Sequence, residues 1–170
     1  SMNPNRTGQG MLFVSLVIGM AMLTWFFAGV EERQYNPNTD PSSFAYADTI
    51  EVPLERNRFG HYLVNGQING NTVAFLLDTG ATDVVVPENI AKRLELPYGR
   101  RSQAMTANGR VNIYRTRVKE LRIGKITLND IDASINPAMK DGAILLGMSA
   151  LSRIEFTQAG NTLTLRQKSG

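Results

Sequence analysis

Hydrophobic positions along this chain fall into two regimes. Over residues 11–30, MLFVSLVIGMAMLTWFFAGV, about twenty positions pass without a charge, the length a helix needs to cross the hydrocarbon of a bilayer. Buried helices of soluble cores are usually shorter and keep a polar face, so the pattern predicts a transmembrane helix over 11–30. A cleaved signal peptide would have a shorter apolar stretch closely followed by a small-x-small site. Ala45-Tyr46-Ala47 has that pattern but lies well beyond the stretch, and an uncleaved anchor is therefore expected. Arg6 precedes the apolar segment while Glu31 and Glu32 follow it. Positive charge tends to remain in the cytoplasm, which makes residues 1–10 a short cytoplasmic tail and turns the C-terminal bulk outward.

Past the anchor the regime changes. Residues 31–49, EERQYNPNTDPSSFAYADT, show neither helical nor alternating periodicity and predict a flexible tether with a root-mean-square span of about 25 Å. From Ile50 onward, short apolar or alternating runs are separated by Asn-Gly, Gly-Lys and Ala-Gly-Asn, the punctuation of an all-β domain, expected over 50–170. HYLVNGQI and TVAFLLD flank Asn69-Gly70, and SQAMTANGRVNIYRTRV carries Asn108-Gly109 at its centre. Both are hairpin signals, because Asn and Gly tolerate positive φ. PENIAKRLEL, from Pro87 to Leu96, reads as one short helix with Pro at its first position. AILLGMSALS predicts a strand entering a brief second helix, and RIEFTQAGNTLTLR a terminal hairpin.

Composition narrows the chemistry. With no cysteine, disulfides, thiol catalysis and most structural zinc sites are excluded. The single histidine, His61, supplies neither a triad nor a multi-histidine metal site and reads as a surface or packing residue; no metal and no cofactor are expected. A net charge of +3 is too modest to indicate nucleic-acid binding. Locally, however, Arg100, Arg101, Arg110, Arg115, Arg117, Lys119, Arg122 and Lys125 stand against Glu120 alone. Such a cluster is either a solvated hairpin face with edge-protecting charges or an attractor of acidic substrates or anionic surfaces.

The candidate chemistry sits in LLDTGATDVVVP, residues 76–87. Asp78-Thr79-Gly80 lies between two apolar runs, where an unpaired charge costs several kcal/mol and where a turn aspartate does not belong. Hydrolysis of an amide without metal, serine or cysteine requires one group to take a proton from water and another to protonate the substrate. Two carboxylates sharing one proton perform both roles. Gly80 lets a substrate backbone approach, and Thr79 offers a hydroxyl.

Leu76-Leu77-Asp78-Thr79-Gly80-Ala81, Thr106-Ala107-Asn108-Gly109 and Leu145-Leu146-Gly147, in this order and spacing, give residues from about Ile50 to Arg166 a resemblance to the retropepsin-like (clan AA) aspartic proteases, in particular the membrane-anchored bacterial branch with one Asp-Thr-Gly motif per chain. The resemblance implies an all-β acid-protease barrel half with one or two short helices, preceded by a single transmembrane helix. It makes Asp78 the catalytic acid in an active-site loop of Thr79, Gly80, Ala81 and Thr82, with Thr79 gripping its counterpart across a two-fold axis and Gly80 hydrogen-bonding substrate backbone. Thr106, Ala107, Asn108 and Gly109 become a flap over the peptide, and Leu145, Leu146 and Gly147 the apolar-apolar-Gly element behind the loop. Viral members commonly carry an acid and an arginine that pair where this chain has Thr82 and Met148; losing both partners leaves no orphan charge but alters substrate anchoring near Thr82.

Asp130, Asp132 and Asp141 lack a following Thr-Gly or Ser-Gly, so the second aspartate is expected from Asp78 of another copy. These readings predict a homodimeric endopeptidase acting on protein or peptide substrates, held by one helix in a bacterial inner membrane with its protease domain periplasmic. The alternative is a non-catalytic peptide-binding or dimerisation module of the cell envelope on the same fold. A reporter active only in the cytoplasm, fused after Gly170, should be silent; a strong signal would reverse the topology.

Overall fold

The computed structural model describes residues 4–168, and the chain divides into two units, Ser1–Tyr35 and Asn36–Gly170. The first is one helix, α1 (Pro4–Tyr35). From Gly8 to Tyr35 it is long and apolar enough to cross a membrane, with a mean hydropathy of 2.2, and its side chains are exposed along that length. Residues 1–3 of the expected N-terminal tail lie outside the described residues; from Pro4 the chain is already helical. The helix also continues through Glu31–Gln34, assigned above to the tether, because no proline or glycine interrupts it before Asn36-Pro37.

The second unit is all-β with two short helices. A four-stranded antiparallel sheet has the order β1 (Phe44–Tyr46), β2 (Thr49–Glu55), β11 (Thr162–Lys168), β10 (Glu155–Ala159). A seven-stranded mixed sheet runs β3 (Leu63–Ile68), β4 (Asn71–Leu77), β9 (Ile144–Leu146), β5 (Val84–Pro87), β8 (Ile126–Asn136), β7 (Gly109–Ile123), β6 (Arg101–Thr106). A further pairing of Gln67 and Ile68 with Arg122 and Leu121 joins β3 to β7 and curls this sheet towards closure. Asn69 and Gly70 both adopt positive φ, 50° and 82°, and fix the β3–β4 register as their sequence foretells. The terminal hairpin β10–β11 also forms where expected.

One core serves both sheets. Val52 and Leu54 of β2 and Leu163 and Leu165 of β11 join Phe75, Leu121, Ile123, Ile131, Ile135 and Leu146 of the larger sheet in a continuous buried cluster, each such side chain contributing about 1.5–3 kcal/mol by leaving water. The helix α2 (Glu88–Arg93) follows Pro87, which caps it rather than opening it. It ends sooner than Leu96 because Glu95 takes a left-handed φ of 55°. The second short helix, α3 (Met148–Leu151), follows β9 directly.

The stretch 36–49 departs from the expected flexible tether. Asn36 and Asn38 are among the few buried polar residues of the chain, 7% and 6% exposed. Asn38 Nδ2 donates to the carbonyls of Glu55 (2.9 Å) and Leu63 (2.7 Å), and its Oδ1 accepts from Glu55 N–H (2.8 Å). Asn65 N–H donates to the Asn38 carbonyl, and Asn36 Nδ2 to Asn65 Oδ1 at 2.9 Å. Then β1 pairs with β2. Polar side chains here replace ladder hydrogen bonds that β2 and β3 do not make with each other. Hydropathy registers no such bonding, and so the folded unit begins about fourteen residues before the boundary that apolar patterning suggests.

Asn38→Ala should lower stability by about 1–3 kcal/mol through buried backbone groups left without partners, seen as a fall of several degrees in the thermal midpoint. Thr39→Ala, at an exposed position, should change it little; equal midpoints for both variants would mean that residues 36–43 are not part of the fold.

Candidate active site

β4 delivers Asp78 to the surface of the larger sheet. Leu77 N–H donates to the carbonyl of Tyr62 (3.0 Å) and Asp78 N–H to that of Leu146 (3.1 Å), so the backbone is gripped on both sides where the strand ends. The chain then turns: Ala81 N–H donates to the Asp78 carbonyl at 3.2 Å, and Gly80 N–H to the Asp78 carboxylate Oδ1 at 2.9 Å. The carboxylate is half-buried, while Thr79, Gly80 and Thr82 are exposed. Asp78 thus opens onto solvent rather than lying enclosed between strands.

Behind this turn, β9 runs parallel to β4 and antiparallel to β5, pairing Leu77 with Leu146 and Val85 with Leu145. After it the chain crosses the loop at contact distance. Met148 N–H donates to the Ala81 carbonyl and Ser149 N–H to that of Thr82, both at 2.8 Å. The Ser149 hydroxyl donates to the Asp132 carbonyl and accepts from Val84 N–H. Gly147 is required for this approach: a Cβ there would fall on the Asp83 carbonyl oxygen and stand 2.6 Å from that of Ala81.

Opposite Asp78 lies the β6–β7 hairpin, whose register pairs Met105 with Arg110 and Thr106 with Gly109. The turn residues are Ala107 and Asn108, one position earlier than the sequence reading placed them. Gly109 carries the positive φ, 106°. Thr106 Oγ1 donates to the Gly109 carbonyl (2.8 Å) and accepts from Asn108 N–H (3.2 Å), tying off the tip. Between hairpin and loop is a groove of about 800 Å³.

Of the residues singled out from sequence, Asp78, Gly80, Ala81, Thr82, Thr106, Ala107, Asn108 and Leu145 line this groove. Thr79, Gly109, Leu146 and Gly147 do not line it. Leu146 and Gly147 are buried and act on the loop from behind. The sequence reading missed Asp83, Arg115, Ser134, Asn136, Ala138 and Met139, which line the same groove. Arg115 Nη1 donates to Asp83 Oδ2, an ion pair between residues 32 apart that no local pattern announces. Thr82 and Met148, being uncharged, form no ion pair, as their types require.

Ala138 and Met139 belong to a loop, residues 137–143, clasped to α2. Glu88 N–H donates to the Met139 carbonyl, Asn89 N–H to that of Lys140, and Lys140 Nζ contacts Glu88 Oε2 at 2.6 Å. That hydrogen bond from Lys140, with the charges of Lys140 and Lys92, holds the Glu88 carboxyl below its ordinary value of 4.5. Since the folded state favours the ionised form, the clasp is intact above about pH 4.5 and loosens only as pH falls through the lowered value.

A half-buried carboxylate on a loop held by backbone hydrogen bonds, facing a groove and opposed by a hairpin, is the arrangement of an acid protease half-site. A family model described as gag-polyprotein putative aspartyl protease matches residues 64–153, more than half of the chain, and the chain belongs to this family of retropepsin-like aspartic proteases. Its structure is similar to that of a retropepsin-like aspartic protease from Rickettsia conorii, with 29% identity and a TM-score of 0.60 over 76% of this chain and 97% of that one. An uncharacterised protein from the cobV 5′ region of a Sinorhizobium species is 32% identical over 111 residues, 64% of this chain and 48% of that protein. An uncharacterised protein of Rickettsia prowazekii is 29% identical over 119 residues, 62% of this chain and 46% of that protein. The chain therefore spans about half the length of the curated relatives it matches.

Replacing Gly109 with Val puts a β-branched residue at positive φ, a strain of about 1–3 kcal/mol. Amide hydrogen exchange across 101–114 should accelerate about fivefold or more, with β11 unchanged. Unaltered exchange in the hairpin would show that its tip is not set by Gly109.

Proposed function

We propose that the chain is a membrane-anchored aspartic endopeptidase whose active form is a homodimer, with Asp78 of two copies sharing one proton and activating water. The observation that carries this reading is the inventory of carboxylates on the groove. Asp78 and Asp83 are the two that line it, and the Asp83 carboxylate is committed to Arg115. Asp132 pairs with Arg117, Asp141 accepts from Asn89, and neither these nor Asp130 lines the groove. One acid is left where the reaction needs two, and two-fold symmetry supplies an identical partner.

In this reading water lies between the two carboxylates. The ionised one takes its proton as the oxygen attacks the scissile carbonyl, and the protonated one donates to the developing oxyanion. Thr79 holds the two loops across the axis, and Gly80 offers backbone to the substrate. Thr106, Ala107, Asn108 and Gly109 form a flap that opens to load and closes to exclude water. Leu145, Leu146 and Gly147 keep the loop in place. Residues 1–10 form a cytoplasmic tail, 11–30 the membrane-spanning part of α1, and the β domain works on the periplasmic side of a bacterial inner membrane.

Incubation with a mixed peptide pool should give cleavage by the full chain in detergent and none by Asp78→Asn; binding without cleavage by the wild type would instead favour a peptide-binding module. The dimer is tested by mixing. With equal amounts of exchanging wild-type and Asp78→Asn chains, about a quarter of the dimers keep both aspartates, and activity should fall to about half that of the same wild-type protein unmixed. A flat response, with exchange verified by differently tagged chains, would exclude the shared dyad.

A further inference from the structure

The groove is not uniform. Its lining includes the apolar Val85, Val111, Ile113 and Leu145, and beside them the charged and polar Asp83, Arg115, Ser134 and Asn136, Ser134 being the strand partner of both Val85 and Arg115. Ser134 and Asn136 are 2% and 6% exposed, so this polarity is built into the sheet rather than scattered over its rim. Along β7, one face reads Val111, Ile113, Arg115, and the third is the point at which the wall changes from apolar to charged. The backbone of Arg115 is fixed on both sides. Its N–H donates to the Arg100 carbonyl and its own carbonyl accepts from Gly99, both at 2.8 Å, while Ser134 of β8 is its partner across the sheet.

Arg115 is also incompletely used. A guanidinium presents five N–H donors in a planar fork, and its one side-chain bond among the described residues goes from Nη1 to Asp83. The side chain is 42% exposed against 17% for Asp83, so the accessible part of the pair is the cation. Asp83 holds the fork through Nη1 and leaves its other donors without a partner among the described residues, a preparation for bidentate capture of a carboxylate. Arg100 and Arg101, at the end of the hairpin next to Arg115, make no ion pair among the described residues and add positive potential there.

We propose that Arg115 is a specificity-determining residue that reads a carboxylate side chain, Glu or Asp, at a position of the substrate flanking the cleaved bond. The inference rests on the endopeptidase reading above and deepens it: the apolar lining of the groove takes the residues beside the cut, and Arg115 selects for acid. Asp83 is a positioning residue for that fork. A basic side chain would instead meet the guanidinium before reaching the covered Asp83 carboxylate.

The test uses the full chain in detergent and matched peptides built on a cleaved sequence, with Glu, Gln or Lys substituted in turn at each flanking position, at about pH 6 where a substrate glutamate is ionised. At one position or more, kcat/KM for Glu should exceed that for Gln by about tenfold, as a charge-assisted hydrogen bond implies, and the ratio should shrink between about 0.05 M and about 0.5 M salt. In Asp83→Asn/Arg115→Gln the ratio should collapse to about one, and taking it within each variant cancels any general loss of activity. Should that variant not fold, the wild-type ratio and its salt dependence still decide. Equal rates for Glu and Gln at every position, a preference for Lys, or a ratio that survives the double substitution would overturn the assignment to Arg115. Failure of the wild type to cleave any peptide would instead overturn the endopeptidase reading on which it rests.

Discussion

Everything about the position of Asp78 depends on how closely β9 and the residues after it lie against the loop that follows β4. Three backbone hydrogen bonds, from Asp78 to Leu146, Met148 to Ala81 and Ser149 to Thr82, hold that loop, and they form only because Gly147 has no side chain to lodge against Asp83 and Ala81. Ile144 and Leu146, on either side of Leu145, are 1% exposed. The same short strand that anchors the core therefore sets the loop, and rigidity is handed from packing to chemistry through backbone alone. A carboxylate so held keeps its orientation without being enclosed, which leaves it open to water.

How much could be read beforehand follows from the range of the interactions involved. The hairpins at Asn69-Gly70 and Gly160-Asn161 are local: positive φ is encoded in the turn residues themselves, and both formed where the sequence placed them. The apolar helix and the Asp78 loop with its supporting strand were likewise legible, the first from length and hydropathy, the second from motifs in sequential order. Two features were not. Asn38 bonds to residues 17 and 25 positions away, and Arg115 to one 32 away; neither is visible to periodicity, because hydrogen-bond satisfaction carries no repeat. In each case a polar residue in a polar stretch looked solvated and was in fact buried or half-buried.

These two omissions have opposite characters. Asn38 spends both of its amide donors on backbone carbonyls and Asn36 bonds to the Asn38 backbone and the Asn65 side chain, so these residues act on stability. Arg115 spends one donor and keeps the rest, and so remains available for recognition. Counting committed against uncommitted donors separates a structural polar residue from one that can meet a ligand, in a way that burial by itself does not.

The three-residue strand β1 also has a bearing on how the β domain behaves in solution. It pairs with the outer side of β2 through Phe44, Ala45 and Tyr46, and on its other side the smaller sheet ends. A chain begun at Ile50, where apolar patterning starts, would lack it. The outer N–H and C=O groups of β2 at Ile50 and Glu51 would then stand unpaired. Edges of that kind recruit other strands, so a fragment trimmed to the hydrophobic boundary would tend to precipitate or to pair in non-native register, and the residues that looked like slack shorten the exposed edge of this sheet to three residues.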